Sequence, residues 1–395
     1  MNPWNMSKDA LKNKDGYHTA KEICQQPETW EKSLKILAEQ KYTLQAFVQP
    51  LLAKPNLRII FTGAGTSAYV GDTIAPYLRE KTGRDIWSIA TTDIVAAPQM
   101  YLRKDVPTVL VSFARSGDSP ESVGAFDLAE QLVFDIHQLV ITCNAKGALA
   151  QRVKTAKHAF CLLTPSETND LGFAMTSSFT NMLLMGLNVF DLQNLDKNST
   201  YIQHIIECVK SLVKGAAEAT QAADLGRQNF SRIVYLGSGS FKGLAQETRL
   251  KVLELTGGRI AAMSEGVMGF RHGPKSILSD DTLVIMLLSS NPYIHKYDMD
   301  FLRELRHDEK KFKVLTIASA PDAEVQSLSD VALVLDMKAD KPWGEDAYLA
   351  LGYVVFGQIL ALAASMHLGV TPDNPCPSGS VNRVVKGVTI HPWKK

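Results

Sequence analysis

Hydrophobic and polar positions change rhythm several times along the chain. Between residues 17 and 50 the run AKEICQQPETWEKSLKILAEQ sets apolar positions among charged ones at helical spacing, which predicts an N-terminal helical arm over residues 1–50. The rhythm then shortens. LRIIFTG (57–63), PTVLVSF (107–113) and HQLVITC (137–143) are brief β-branched runs separated by helical patterns such as DSPESVGAFDLAEQL. Short apolar strands alternating with helices predict an α/β fold, a parallel sheet covered on both faces. From 199 to 225 a helical stretch carries no strand signal, after which SRIVYLG (231–237), TLVIMLL (282–288) and FKVLTIA (312–318) restart the pattern.

The restart is an internal repeat. Laying RIIFTGAGTS on RIVYLGSGSF sets Arg58 on Arg232, Gly63 on Gly237 and Gly65 on Gly239, an offset of 174 residues (232 − 58). Val109 falls on Val284 at nearly the same step. The chain therefore divides into a first α/β unit at 51–198, a linking helix at 199–225, a second unit at 226–370 and a tail at 371–395. Two cores also suit the length, since 395 residues exceed what one hydrophobic core usually organises. YLALGYVVFGQILALAASMHLGV (348–370) is long enough to span a bilayer and lacks Asp, Glu, Lys and Arg. It carries Gln358, Ser365 and His367, follows the acids Glu345 and Asp346, and has no flanking positive cluster, so it reads as a buried core helix and not a membrane span.

Composition narrows the classes. At 45% hydrophobic and 21% charged the chain is globular. Its 42 Lys and Arg balance 41 Asp and Glu, and no segment concentrates the cations, which argues against a nucleic-acid partner. Five scattered cysteines without a CxxC pair predict free thiols, a reducing cytoplasm and no metal site. The N-terminus lacks the apolar core of a signal peptide, which adds to a cytoplasmic expectation.

Each repeat opens with a strand, a glycine pair, hydroxyls and a helix: TGAGTSAYVGDTIAPYL and LGSGSFKGLAQETRL. Glycines let the backbone turn at the strand's C-terminal end, and the helix N-terminus offers free N–H groups to an anion. GAGTSA also satisfies a dinucleotide fingerprint, but the following strand, IWSIA, ends in TTD and presents no acid at its tip. A tight turn without a ligand stays open for this motif alone. A second turn, SFARSGDSPES (112–122), presents Ser112, Ser116 and Ser119 around Gly117 with Arg115 between them. Such serines can be helix caps; three of them with an arginine, opposite a GTS turn, point to a small phosphorylated metabolite. SEGVMGFRHGPKS (264–276) gathers Arg271, His272 and Lys275 in one loop, either solvated surface or an anion contact. In LAQETRLKVLEL, Glu247, Lys251 and Glu254 share one helix face, which by itself reads as an exposed salt-bridge stripe.

GTS, SxSGxS, LKxxE, HGP and the C-terminal KxVT together make the chain, from about residue 20 onward, similar to the sugar isomerase (SIS) domain proteins. The arrangement resembles the isomerase half of glucosamine-6-phosphate synthase. TAKEICQQPETW, AMTSSFT and GFRHGP bring it closer to the tagatose-6-phosphate ketose/aldose isomerase group of galactosamine-6-phosphate deaminases. The resemblance implies two tandem SIS domains, each a five-stranded parallel sheet in a flavodoxin-like three-layer αβα arrangement. It implies deamination and isomerisation of an amino sugar phosphate, D-galactosamine 6-phosphate to D-tagatose 6-phosphate and ammonia, with no cofactor. Thr66, Ser67, Ser112, Arg115, Ser116 and Ser119 would bind phosphate. Thr176 and Ser177, with Ser178, would line the sugar pocket. Glu254 would move the proton between C1 and C2, His272 would open the pyranose, and Lys386, in a tail closing over the site, would meet the carbonyl. The chain departs from the synthase pattern at Ala114, which replaces a serine, and at Arg115, which replaces a glutamine. The resemblance also implies a homodimer or dimer of dimers, with the HGP loop reaching the neighbour's sugar. Plain isomerisation of a hexose phosphate, deamination of the gluco epimer, and a non-catalytic sugar-phosphate regulator stay open at this point.

Overall fold

The computed structural model describes residues 3–337, 345–385 and 387–394. Strands β1 (Arg58–Thr62), β2 (Asp85–Ser88), β3 (Thr108–Ala114), β4 (Ile136–Thr142) and β5 (Ala159–Leu163) form one parallel sheet in the order β2-β1-β3-β4-β5. Strands β6 (Arg232–Gly237), β7 (Ala261–Glu265), β8 (Thr282–Leu287), β9 (Lys313–Ala318) and β10 (Val331–Val334) form a second with the same winding, β7-β6-β8-β9-β10. Both have the doubly wound order in which a crevice opens beside the first strand at the C-terminal edge. Helices flank each sheet, and every residue of β1, β3 and β8 is buried, as covered parallel strands require. Strands β5, β7 and β10 escape the sequence reading because they are edges: β5 and β7 are largely half-exposed, and β10 is four residues long. An edge strand does not need a continuous apolar run.

Two compact units result. One gathers the chain up to Glu28, Leu171–Thr176 and Lys197–Pro377; the other gathers Thr29–Asp170, Ser177–Asp196 and the chain from Ser378. The expected N-terminal arm is thus shared out and packed. Its helices are Lys8–Asn13, Tyr17–Cys24, Gln26–Glu39 and Lys41–Leu52. Trp30 is fully buried in the first-sheet unit, its indole N–H donating to Thr180 Oγ1 at 2.9 Å. The stretch read as one linking helix is two, Leu195–Val213 and Ala217–Gly226, separated at Gly215, whose φ of 97° ends a right-handed helix.

The long apolar run forms the helix Asp346–His367, buried by protein from Ala347 to Met366. Glycines let its neighbours approach closely. A Cβ on Gly226 would lie 2.3 Å from the Leu360 carbonyl oxygen, and one on Gly357 would lie 2.7 Å from Thr248 Cγ2. The register also corrects the repeat. Arg58 lies opposite Thr108 and Arg232 opposite Thr282, so the 174-residue offset continues unchanged and Val109 matches Leu283, not Val284.

Candidate active site

In the first-sheet unit, the turn after β1 is built by two glycines with different duties. Gly63 has no room for a side chain, since a Cβ would fall 2.5 Å from the Ser67 carbonyl carbon. Gly65 has φ 55° and ψ −128°, a conformation that side chains disfavour, and it starts the helix Thr66–Thr82. Thr66 and Ser67 therefore sit in the first helical turn, both buried, where unsatisfied N–H groups and the positive end of the dipole gather.

The neighbouring turn follows β3. Ser112 pairs with Thr62 in the sheet, and its buried Oγ has no hydrogen-bond partner. Such a group costs free energy unless something occupies its lone pairs. Ala114 is buried at the strand end, so no hydroxyl stands there. Arg115 is 6% exposed and donates from Nη2 to the Arg383 carbonyl oxygen at 2.8 Å. The tail from Ser378 belongs to this same unit, and the Arg383 guanidinium in turn reaches the Asp170 carbonyl. Asn144 Nδ2 holds the Ser116 carbonyl at 2.9 Å, while Ser116 Oγ accepts from the Asp118 N–H at 3.2 Å. Ser119 starts the helix Pro120–Leu132 and donates to Ser122 Oγ at 2.6 Å. Hydroxyls, a guanidinium and two helix N-termini thus share one edge of the first sheet, a chemistry suited to a phosphate.

The AMTSSFT residues stand differently. Thr176, Ser177 and Ser178 are all fully buried. Ser177 Oγ donates to Asp170, and Ser178 binds the same carboxylate through its N–H at 2.9 Å and its Oγ at 2.6 Å. Ser177 and Ser178 therefore cap the helix Ser177–Val189 with a buried acid, and the geometry gives their hydroxyls a structural duty. Asp170 carries no spacing signal toward this turn, so sequence reasoning passed over it.

In the second-sheet unit, helix Ser240–Leu255 carries the Glu247, Lys251 and Glu254 face. It is not an exposed stripe. Lys251 and Glu247 side chains are fully buried, and Glu254 is 23% exposed. Lys251 Nζ lies 3.3 Å from Glu247 Oε1 and 2.6 Å from Glu254 Oε2. Burial would lower the lysine's pKa, but the two carboxylates outweigh it and hold the ammonium above its ordinary value. The result is a buried charge triad with one carboxylate at its open end.

The HGP loop resolves in part. Arg271 Nε bonds Glu304 Oε2 at 2.7 Å, and Lys275 Nζ reaches Glu304 Oε1 at 2.7 Å and Asp308 Oδ2 at 3.2 Å. These two cations already have their anions. His272 lies between them, exposed, and its ring hydrogen-bonds no described residue. Lys386 falls outside the described residues.

Comparison with known proteins agrees with this architecture. The SIS domain model matches residues 51–190 and 228–363. D-galactosamine-6-phosphate deaminase AgaS of Escherichia coli is 44% identical over 379 residues, 96% of this chain and 97% of that protein. Its namesake from Shewanella sp. (strain ANA-3) is 41% identical, over 99% of this chain and 96% of that one. The crystal structure of tagatose-6-phosphate ketose/aldose isomerase from Escherichia coli superimposes with a TM-score of 0.88 at 41% identity, covering 96% and 98% of the two chains. Two matched segments on two like-wound sheets, with relatives of this identity along almost the whole chain, establish that the chain belongs to the SIS domain family.

Proposed function

We propose that the chain is an amino sugar phosphate deaminase/isomerase that converts D-galactosamine 6-phosphate and water to D-tagatose 6-phosphate and ammonia. The observation that carries this reading is the 44% identity along 96% of the chain to D-galactosamine-6-phosphate deaminase AgaS. The phosphate is held at the first-sheet edge by Thr66, Ser67, Ser112, Arg115, Ser116 and Ser119. His272 moves a proton to the ring oxygen as the pyranose opens. Glu254, held through one oxygen by Lys251, takes the C2 proton with the other and delivers it to C1. That transfer turns the aldose into the enolamine and then the C2 ketimine. Water adds to the ketimine carbon, the C–N bond breaks and ammonia leaves. Lys386 meets the charge that develops on the carbonyl side of this path.

The working form in this reading is a homodimer or dimer of dimers in the cytoplasm, its only ligand the small sugar phosphate. A second reading, plain aldose/ketose interconversion, is favoured by the name of the Escherichia coli structural relative. An ammonia-release assay across galactosamine, glucosamine and N-acetylated 6-phosphates tests both. Ammonia from the galacto amine alone supports the proposal. Isomerisation of tagatose 6-phosphate without ammonia release from any amine rejects it in favour of the second.

A further inference from the structure

The two sheets repeat each other closely enough to ask what became of the second glycine turn. Gly239 has φ 56° and ψ −127°, matching Gly65 within a degree in each angle. A Cβ on Gly237 would fall 2.4 Å from the Phe241 carbonyl oxygen, as one on Gly63 would collide with Ser67. The backbone of an anion cradle is therefore present twice. The side chains are kept only in part, with hydroxyls retained where Thr66 becomes Ser240 and Ser116 becomes Ser290. At the shared offset Ser67 becomes Phe241, fully buried and stacked on Tyr353 at 4.8 Å, and the orphan hydroxyl of Ser112 becomes the buried Met286.

Three of the serines at this edge already hold carboxylates. Ser289 Oγ donates to Asp346 Oδ2 at 2.5 Å, and Ser290 binds Asp346 Oδ1 through its N–H at 2.8 Å and its Oγ at 2.7 Å. The Ser289 N–H donates to Asp298 Oδ2 at 2.9 Å, and Ser238 Oγ reaches Asp298 Oδ1 at 3.2 Å. The N–H groups and hydroxyls of Ser289 and Ser290 after β8, with the Ser238 hydroxyl after β6, thus converge on carboxylate oxygens, donors of the kind that a bound phosphate would collect. Asp346 is also the first residue of the core helix Asp346–His367, so its carboxylate ties that helix to the sheet edge.

We infer that the second edge is a duplicated anion cradle whose anion is the chain's own Asp346 carboxylate, assisted by Asp298, so that each chain binds one sugar phosphate and not two. This rests on the reading of the first edge as a phosphate cradle. Two measurements separate the failures. Calorimetric titration with the reduced, unreactive 2-amino-2-deoxygalactitol 6-phosphate should give one site per wild-type chain, lost in the pair Ser67→Ala, Arg115→Gln. Two sites in the wild type would overturn the inference, whereas no site would count against the first cradle and leave Asp346 to the second measurement.

There, Asp346→Ala should melt below the wild type, and acetate should recover about half of the deficit or more relative to chloride at equal ionic strength, because a small carboxylate re-enters the vacated donors. The wild type should not respond. An unchanged melting point, or no preference for acetate, would overturn the assignment. If Asp346→Ala does not fold, Asp346→Asn takes its place: it keeps the size but not the charge, and a melting point equal to wild type rejects the idea.

Discussion

Lys251 Nζ sits 2.6 Å from Glu254 Oε2 and 3.3 Å from Glu247 Oε1 with its own side chain fully buried. A charge in that position is tolerated only while its partners remain. Lys251→Met should therefore destabilise the fold by about 3–5 kcal/mol, because it strands the buried Glu247 carboxylate. Adding Glu247→Gln should return much of that loss. Urea denaturation of the single and double variants checks it, and a double variant no more stable than the single would reject the triad as a unit.

Glu254→Gln keeps the shape of the side chain and removes the base. Turnover should fall by about 10²–10⁴, the usual contribution of general acid–base catalysis, while substrate still binds. Steady-state kinetics with galactosamine 6-phosphate decide the point. A variant that keeps most of its kcat leaves Glu254 as a structural partner of Lys251.

Hexosamine 6-phosphates should raise the melting temperature, since a ligand bound only by the native state adds RT ln(1 + [L]/Kd), about 2.7 kcal/mol at a hundredfold excess over Kd. Galactosamine without phosphate should do little. The shift should shrink in Ser67→Ala and in Arg115→Gln. Equal shifts with and without phosphate would remove the first-sheet edge from consideration.

Burial pushes the Asp298 carboxyl up to about 6, against the hydrogen bonds from Ser289 and Ser238 and the nearby His295, with Asp346 adding to the rise. The folded chain thus holds this proton more tightly than the unfolded one. Its contribution to stability is complete below about pH 4 and is lost as pH rises through about 6. Relative to Asp298→Asn, the wild type should lose stability between these limits and run parallel above them. Urea midpoints measured across pH 4 to 8 test this, and curves parallel throughout would refute the raised proton affinity.

His272 is expected to serve the neighbouring subunit's substrate. Mixing Glu254→Gln with His272→Ala after dissociation and reassociation should then restore about a quarter of wild-type activity, because half of the dimers are mixed and each holds one intact site. Mixtures that exchange subunits and stay inactive would place His272 in its own chain's site.

Local spacing carried much of this molecule into view. The buried runs of β1, β3, β4, β6, β8 and β9 are apolar because both sheet faces are covered, and Gly63 and Gly65 stand out because only glycine fits their turn. The Glu247, Lys251 and Glu254 face was visible as a helical spacing. Its burial was not, and burial is what separates a surface stripe from a charge triad. Nothing local to the AMTSSFT run announced that Asp170 would bind Ser177 and Ser178, and the loop with Arg271 and Lys275 left surface and anion contact open until Glu304 and Asp308 were set against it. Asp346 and Asp298 gave no sign that they would meet Ser289 and Ser290 after β8. Periodicity and turn chemistry act between residues a few positions apart, so sequence alone determined the buried central strands and their glycine hinges, while the edge strands β5, β7 and β10 escaped it. Charge pairing acts through space between distant segments, so only the tertiary structure decided which carboxylates and cations hold one another.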